Sequence, residues 1–348
     1  MIRNITIRHL MILPPALACM ALLGPATLFA LDADRADVQS FTDKMVAEHG
    51  FDREYVESML SQGETQQSIL DAISRPAERT KPWHEYREIF VTQKRINGGV
   101  KFWKEHRERL ERISAETGVP AQIIAAIVGV ETYYGARTGG YRVIDSLSTL
   151  AFDYPPRGKF FRSELEQLFL LTRDEELALD EIKGSYAGAL GAPQFIPSSY
   201  RHYAVDGDGD GRRDLFDNWD DVLASVANYF VSHDWRPDEP VVARGLLDTE
   251  ANILIKKNGL KLTSTVAELK NSGILFETDL DKTATAELIS LEGEDEQEYW
   301  VGFHNFYVIT RYNRSVMYAL SVYQLSEALA AEIGAGKRVA SPREALSR

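Results

Sequence analysis

The stretch 119-VPAQIIAAIVGVETYYG-135 sets one acid into a run that otherwise reads as buried helix. Ile123, Ile124, Ile127, Val128 and Val130 supply the apolar face, Pro120 suits a first helical turn, and Gly135 suits a stop. Glu131 follows Ile127 by four residues and Val128 by three, so it shares their face. Burial there disfavours the anion, and the negative end of the helix dipole repels it. A carboxyl kept protonated near neutral pH is what a general acid requires. The competing reading is a helix-end glutamate paired with Arg137 or Arg142, and spacing alone leaves both open.

Around this segment the pattern is mainly helical. Val38 to Lys101 reads as short amphipathic helices broken at SRPAERTKPW. GVKFWKEHRERLERISAETG reads as one longer helix ending at Gly118, and KFFRSELEQLFLLTRDEEL as another. In NWDDVLASVANYFVSHDW, Trp219, Val222, Leu223, Val226 and Phe230 fall on one face. Between Pro237 and Tyr299 the texture changes: PVVARGLL, LKLTSTVAEL and TATAELISLEG are short, β-branched and turn-bounded, as strands around a small helix would be. Helical pattern returns in SVMYALSVYQLSEALAAEI, and the tail after Gly334 reads as loose. The expected fold class is mainly α (α+β), a helical core carrying a small β-containing insertion. Its parts are an N-terminal helical part (31–110), a core (111–236), the insertion (237–299), a return to the core (300–333) and a tail (334–348).

With 348 residues, 44% hydrophobic and 26% charged, the chain can bury a substantial core. Its net charge of -13 offers no basic patch for a nucleic-acid backbone, which excludes that partner class. Residues 1–30 read as a secretory signal: Arg3 and Arg8, then LMILPPALACMALLGPATLFA, with no acid before Asp32. Pro14, Pro15 and Pro25 interrupt the stretch and argue against a membrane span. Cleavage near Ala30 yields an exported, periplasmic protein. Lipidation at Cys19 would instead tie it to the outer membrane, but alanine precedes where leucine is usual. Cys19 is the only cysteine, so the cleaved chain excludes disulfides, thiolate metal sites and cysteine nucleophiles.

The loop 206-DGDGDGRRDLFD-217 alternates acid and glycine. Calcium takes hard oxygen ligands, which such a loop presents from Asp206, Asp208 and Asp210, with Gly211 at the turn and the Arg212 carbonyl next. Asp217 occupies the usual closing position, and Asp220, one turn on, is the alternative for a longer loop. A single loop of this kind suits structural Ca2+ better than a switch.

Two further segments carry chemistry. In 184-GSYAGALGAPQFIPSSY-200, glycines bring backbone close to a ligand, and Ser185 and Gln194 sit among Tyr186 and Phe195. Amide, hydroxyl and ring together suit a sugar. In 305-NFYVITRYNRSVMY-318 the alternating start reads as extended chain and the end as helix, with Asn313 a candidate helix cap beside Tyr312. Tyr86, in WHEYREIF, reads alone as ordinary aromatic core.

AAIVGVETYYG, LSTLAFDYPPRGKFF, GSYAGALGAPQFIPSSY, DGDGDGRRDLFDNWDD, SVANYFVSHDW and GFHNFYVITRYNRS together resemble the lytic murein transglycosylase B family, in order and over most of residues 80–330. The resemblance implies a lysozyme-like catalytic core and an EF-hand-like calcium loop, longer than usual, that favours Asp220 as its closing ligand. It places the catalytic acid on Glu131, and substrate contacts on Ser185, Gln194, Tyr312, Asn313, Tyr318 and Tyr86. Where the family carries paired arginines after YP, this sequence has Pro156 and Arg157, so only Arg157 is available. The implied reaction cleaves the β-1,4 bond between N-acetylmuramic acid and N-acetylglucosamine in peptidoglycan strands and leaves a 1,6-anhydro end. It needs no organic cofactor, and a monomer with other cell-wall enzymes as partners is expected. The alternatives are a muramidase that uses water, and a non-catalytic calcium-stabilised scaffold that binds the wall.

Overall fold

The computed structural model describes residues 29–32, 34–74, 81–249 and 258–340. The expectations for residues 1–28, including Cys19, and for 341–348 lie outside the described residues. The chain begins with β1 (Phe29–Ala30), α1 (Ala36–His49), α2 (Arg53–Ser61), β2 (Glu64–Thr65) and α3 (Gln67–Ile73). Leu31 is already part of the core, and β1 pairs antiparallel with β2. Next come α4 (Trp83–Phe90), α5 (Gln93–Glu105), α6 (Arg107–Thr117) and α7 (Ala121–Thr132).

The single helix expected over 99–118 is two. His106 leaves helical geometry at φ -112°, and its ring packs on Phe102 and Trp219. Side-chain packing makes this break, with neither glycine nor proline at it. α7 is the centre of the fold. All its residues are buried except Gln122 and Glu131, and α5, α6, α11 and α14 pack around it. Each of its branched apolar side chains contributes about 1.5–3 kcal/mol on burial. Pro120 stands just before its first turn as the N-cap.

β3 (Tyr141–Arg142), α8 (Val143–Asp153), α9 (Gly158–Asp174), β4 (Lys183–Gly184), α10 (Pro197–Tyr203) and α11 (Trp219–Ser232) complete the first part of the core. β3 pairs with β4, which fixes the start of the 184–200 segment against the loop after α7. Asn218 caps α11 by accepting the Asp220 N–H at 3.0 Å.

The chain then enters β5 (Val242–Leu247), β6 (Ser264–Thr265), α12 (Val266–Asn271), β7 (Ile274–Leu275), β8 (Thr285–Glu292) and β9 (Gln297–Gly302). These strands form an antiparallel sheet in the order β6-β8-β9-β5-β7. Its own core contains Val266, Leu269, Ile274, Phe276, Ala286, Val301 and Phe303. TSTVAEL, expected as strand, is mostly α12, closed by a reciprocal Thr265–Glu268 capping box.

α13 (His304–Tyr312) and α14 (Val316–Ala340) bring the chain back. The extended start expected at NFYVIT is helix. Asn305 is fully buried and bonds the Arg236 N–H and the Arg236 and Glu239 carbonyls, while Phe306 and Ile309 face the core. Asn313 ends α13 in extended geometry, and it is Ser315 that caps α14 by accepting the Tyr318 N–H. α14 runs through Gly334, where a loose tail was expected, to Ala340. Among the described residues no single helix is long and apolar enough to cross a membrane.

Candidate active site

Glu131 is the penultimate residue of α7 and is half-buried. The helix stops beyond it because Tyr133 and Tyr134 adopt left-handed geometry at φ 53° and 60°, two residues before the glycine expected to stop it. Each such residue costs about 1–3 kcal/mol, and strain of this kind collects at functional sites. Thr132, fully buried, holds the turn: its hydroxyl donates to Ala192 O at 2.9 Å and accepts the Gly135 N–H at 3.0 Å. The acid is thereby tied to the 184–200 segment by its immediate neighbour.

Above Glu131 lies α14. Tyr318, 2% exposed, donates its hydroxyl to Glu131 Oε1 at 2.5 Å. Burial, then the charge of Glu131, holds the Tyr318 phenol well above its ordinary range, so it stays a donor. Burial does the same to Tyr312, again with the charge of Glu131 adding to it. Tyr312 donates to Pro193 O at 2.6 Å, a second tie to the 184–200 segment. The arginines offered as partners for Glu131 make contacts of their own. Arg142 donates to Asp180 O and Gln62 O, and Arg137 lies 5.6 Å above the Tyr133 ring.

Ser185 Oγ accepts the N–H groups of Ala187 and Ala189 at 3.2 and 3.0 Å, which leaves its proton to donate. Gln194, at φ 54°, gives its amide hydrogens to Thr138 O and Gly191 O, which leaves Oε1 as an acceptor. A Cβ at Gly139 would stand 2.0 Å from Gly184 O, so the loop after α7 and this segment meet backbone to backbone. Asn313 is exposed at the α13–α14 corner. Arg157 is exposed at the start of α9, stacked 4.3 Å from the Phe160 ring.

Two expected substrate contacts are corrected. Phe195 is 2% exposed, its ring 5.7 Å from Tyr229 and 5.8 Å from Tyr312, so it supports Tyr312 and presents no face to a sugar. Tyr86 is 1% exposed, packed on Phe90, and interacts with the Tyr318 phenol. Sequence reading missed Thr132, which no motif distinguishes from any helix-end threonine, and Arg95. Arg95 donates to the Gly129, Val130 and Ile89 carbonyls.

At the acidic loop, ligand oxygens of Asp206, Asp208 and Asp210 lie within 4.8 Å of one another. Asp206 also accepts the N–H groups of Gly209, Asp210 and Gly211, which hold its carboxyl below the usual range, the Gly211 bond contributing most. Three carboxylates converging this closely suit a hard divalent cation. Asp220 does not face them. Its oxygens take Arg109 Nε at 2.6 Å and an Arg112 amine at 2.8 Å. The adjacent Asp221 is the acid turned into the loop: fully buried, it accepts the Gly207 and Asp214 N–H groups at 2.6 and 2.7 Å. Burial raises its pKa, the two N–H bonds oppose that, and the charges of Asp208 and Asp206 raise it further. Asp217 is exposed, with its N–H on Asp214.

The acid at the end of α7 is joined to the 184–200 segment through Thr132 and Tyr312, and the chains that share this fold are lytic transglycosylases with a lysozyme-like core. The chain belongs to the family described as Transglycosylase SLT domain, which matches residues 33–327. It is 40% identical over 307 residues to membrane-bound lytic murein transglycosylase B of Escherichia coli K12, covering 86% of this chain and 84% of that one. The soluble lytic transglycosylase SltB1 of Pseudomonas aeruginosa, in its catenated form, matches with a TM-score of 0.81 and 47% identity, over 86% of this chain and 98% of that one. The Escherichia coli lytic transglycosylase Slt35 in complex with calcium matches with a TM-score of 0.79 and 40% identity, over 86% and 94%. The activity is therefore lytic murein transglycosylase activity on peptidoglycan.

Proposed function

We propose that Glu131 serves as both acid and base in this reaction. The observation that carries this reading is its half-buried carboxyl on α7, held at Oε1 by the Tyr318 hydroxyl. Oε2 then carries the working proton. Glu131 donates it to the oxygen linking N-acetylmuramic acid C1 to N-acetylglucosamine O4, and that bond breaks. The muramic acetamido oxygen stabilises the cationic C1, as in substrate-assisted glycosidases. Ser185 and Asn313 orient that group, Gln194 accepts a sugar hydroxyl, Tyr312 shapes the wall of the cleft, and Arg157 meets the peptide stem. The Glu131 carboxylate next takes the proton of the sugar's C6 hydroxyl, whose oxygen bonds C1. The product is a 1,6-anhydro end, and no water is consumed.

The water-using alternative needs a second carboxylate. Two acids nearby in the chain are engaged: Asp145 with Arg142 and Gln66, and Asp153 with Arg35. Mass spectrometry of muropeptides released from peptidoglycan by residues 31–348 tests the reading. Anhydro-muramic ends, lost in Glu131→Gln, are expected. Reducing ends would identify a hydrolase, and turnover by Glu131→Gln would remove this acid from the role.

The acidic loop is read as a structural Ca2+ site held by Asp206, Asp208, Asp210 and the Arg212 carbonyl. Asp221 closes it, in place of Asp217 or Asp220. The cluster of Asp206, Asp208 and Asp210 and the calcium complex of Slt35 support the site, and the charges of Asp208 and Asp206 felt at Asp221 support its place beside them. Peptidoglycan lies outside the cytoplasm, and the enzyme works there after export by residues 1–30.

A further inference from the structure

Arg95, on the first turn of α5, is 8% exposed. Among the described residues its guanidinium donates to backbone carbonyls and to no carboxylate. Two of those carbonyls, Gly129 and Val130, belong to the last turn of α7, immediately before Glu131. The third, Ile89, lies in the last turn of α4, three residues beyond Tyr86. The Phe90 and Tyr133 rings flank the guanidinium at 5.3 and 5.1 Å. Its Nε is buried without a partner. Taking a cation this far from water is costly when no anion offsets it. Helix C-termini concentrate negative partial charge, and a cation placed on them is stabilising.

We propose that Arg95 is a positioning residue for the catalytic acid: its planar fork clamps the ends of α4 and α7 together and sets a permanent positive charge beneath Glu131. This rests on the assignment of Glu131 as the acid. Among the described residues, Tyr318 on α14 and Tyr312 at the end of α13 feel the charge of Glu131, Tyr86 on α4 interacts with Tyr318, and Tyr134, Tyr133 and Arg137 in the turn after α7 interact with Arg95. Between α5 and α6, the His106 ring lies 4.9 Å from that of Trp219 on α11. The phenols of Tyr312, Tyr318 and Tyr134 are held up by burial and stay neutral. Arg137 lies over the Tyr133 ring. A cation under Glu131 favours its carboxylate and so lowers the pH above which the acid is spent.

The test is the pH dependence of anhydro-muropeptide release by Arg95→Met, Arg95→Gln, Arg95→Lys and Glu131→Gln, with thermal unfolding of each. In the two neutral variants the upper limb of the profile moves to higher pH by about one unit. Arg95→Lys keeps the charge and loses the fork, so its limb stays in place while kcat falls about tenfold at unchanged KM. A folded neutral variant with a wild-type upper limb overturns the proposal, whatever its rate. If both neutral variants fail to fold, an unchanged kcat in Arg95→Lys overturns it. Glu131→Gln separates the two failures: inactive, it leaves the acid assignment standing when Arg95 fails, whereas activity there removes the assignment and the Arg95 proposal with it.

Discussion

The Tyr318 hydroxyl and Glu131 Oε1 stand 2.5 Å apart although 187 residues separate them in the chain. A buried phenol donating at such a distance fixes the place of that oxygen and so the direction in which Oε2 faces. Tyr318→Phe fills the same buried slot without the donor. Its kcat should fall about 10–100-fold, because the acid loses orientation, and a rise in KM as well would show the hydroxyl meeting the sugar. Steady-state kinetics on defined glycan fragments checks this, and an unchanged kcat would make the hydroxyl a packing accident.

Neighbouring acids make a sharp pair of variants. Asp221→Asn should weaken calcium binding at least about tenfold and lower Tm in calcium buffer. Asp220→Asn frees Arg109 and Arg112, so it should cost about 1 kcal/mol of stability while leaving calcium affinity near wild type. Calorimetric titration with calcium, and melting with and without chelator, distinguish the two. Equal effects on affinity would return Asp220 to the ligand set.

Glu164 is 4% exposed on α9 and accepts both the N–H and the hydroxyl of Ser198 on α10. Burial raises its pKa, and the two Ser198 bonds only partly oppose that. An acid whose folded pKa lies above its unfolded one subtracts stability as pH rises through that window. The cost is fully present above the folded value and absent below the unfolded value, about 4.3. Glu164→Gln keeps both partners and loses the charge. Its Tm should rise by about 1–2 °C at pH 7, and the gain should vanish near pH 4. A Tm gain independent of pH would contradict the assignment.

Gly139, at φ 102°, lies against Gly184 and Ser185. Gly139→Ala forces a methyl into that backbone and should cost more than about 2 kcal/mol of stability. It should also raise KM by moving Ser185. Urea unfolding and substrate titration measure the two effects.

The core of this fold was legible in the sequence because an uninterrupted apolar run has few places to go, and α7 went to the centre. The break at His106 was not, since ring packing on Trp219 made it and no breaker residue marks it. NFYVIT alternates like a strand, but a helix there lets Asn305 satisfy three backbone groups, a tertiary demand invisible from the segment itself. Asp220 and Asp221 are indistinguishable by composition. They begin a helix about 100° apart, so one turns to the loop and the other to α6. Phe195 had the right chemistry for a sugar platform and only its burial reassigns it, whereas Tyr86 read from its own segment as aromatic core and is buried as that reading expects.

The order of the chain has a consequence for when the enzyme becomes dangerous. Glu131 precedes the inserted sheet and Tyr318 follows it, in the last helix described. A polypeptide emerging N-terminus first presents its acid long before the tyrosine that orients it. The wall-cutting centre is thus completed only when nearly the whole chain has left the ribosome or the translocation channel and α14 has docked. Any fragment that ends within the sheet carries the acid without its clamp, so premature termination yields a blunt tool.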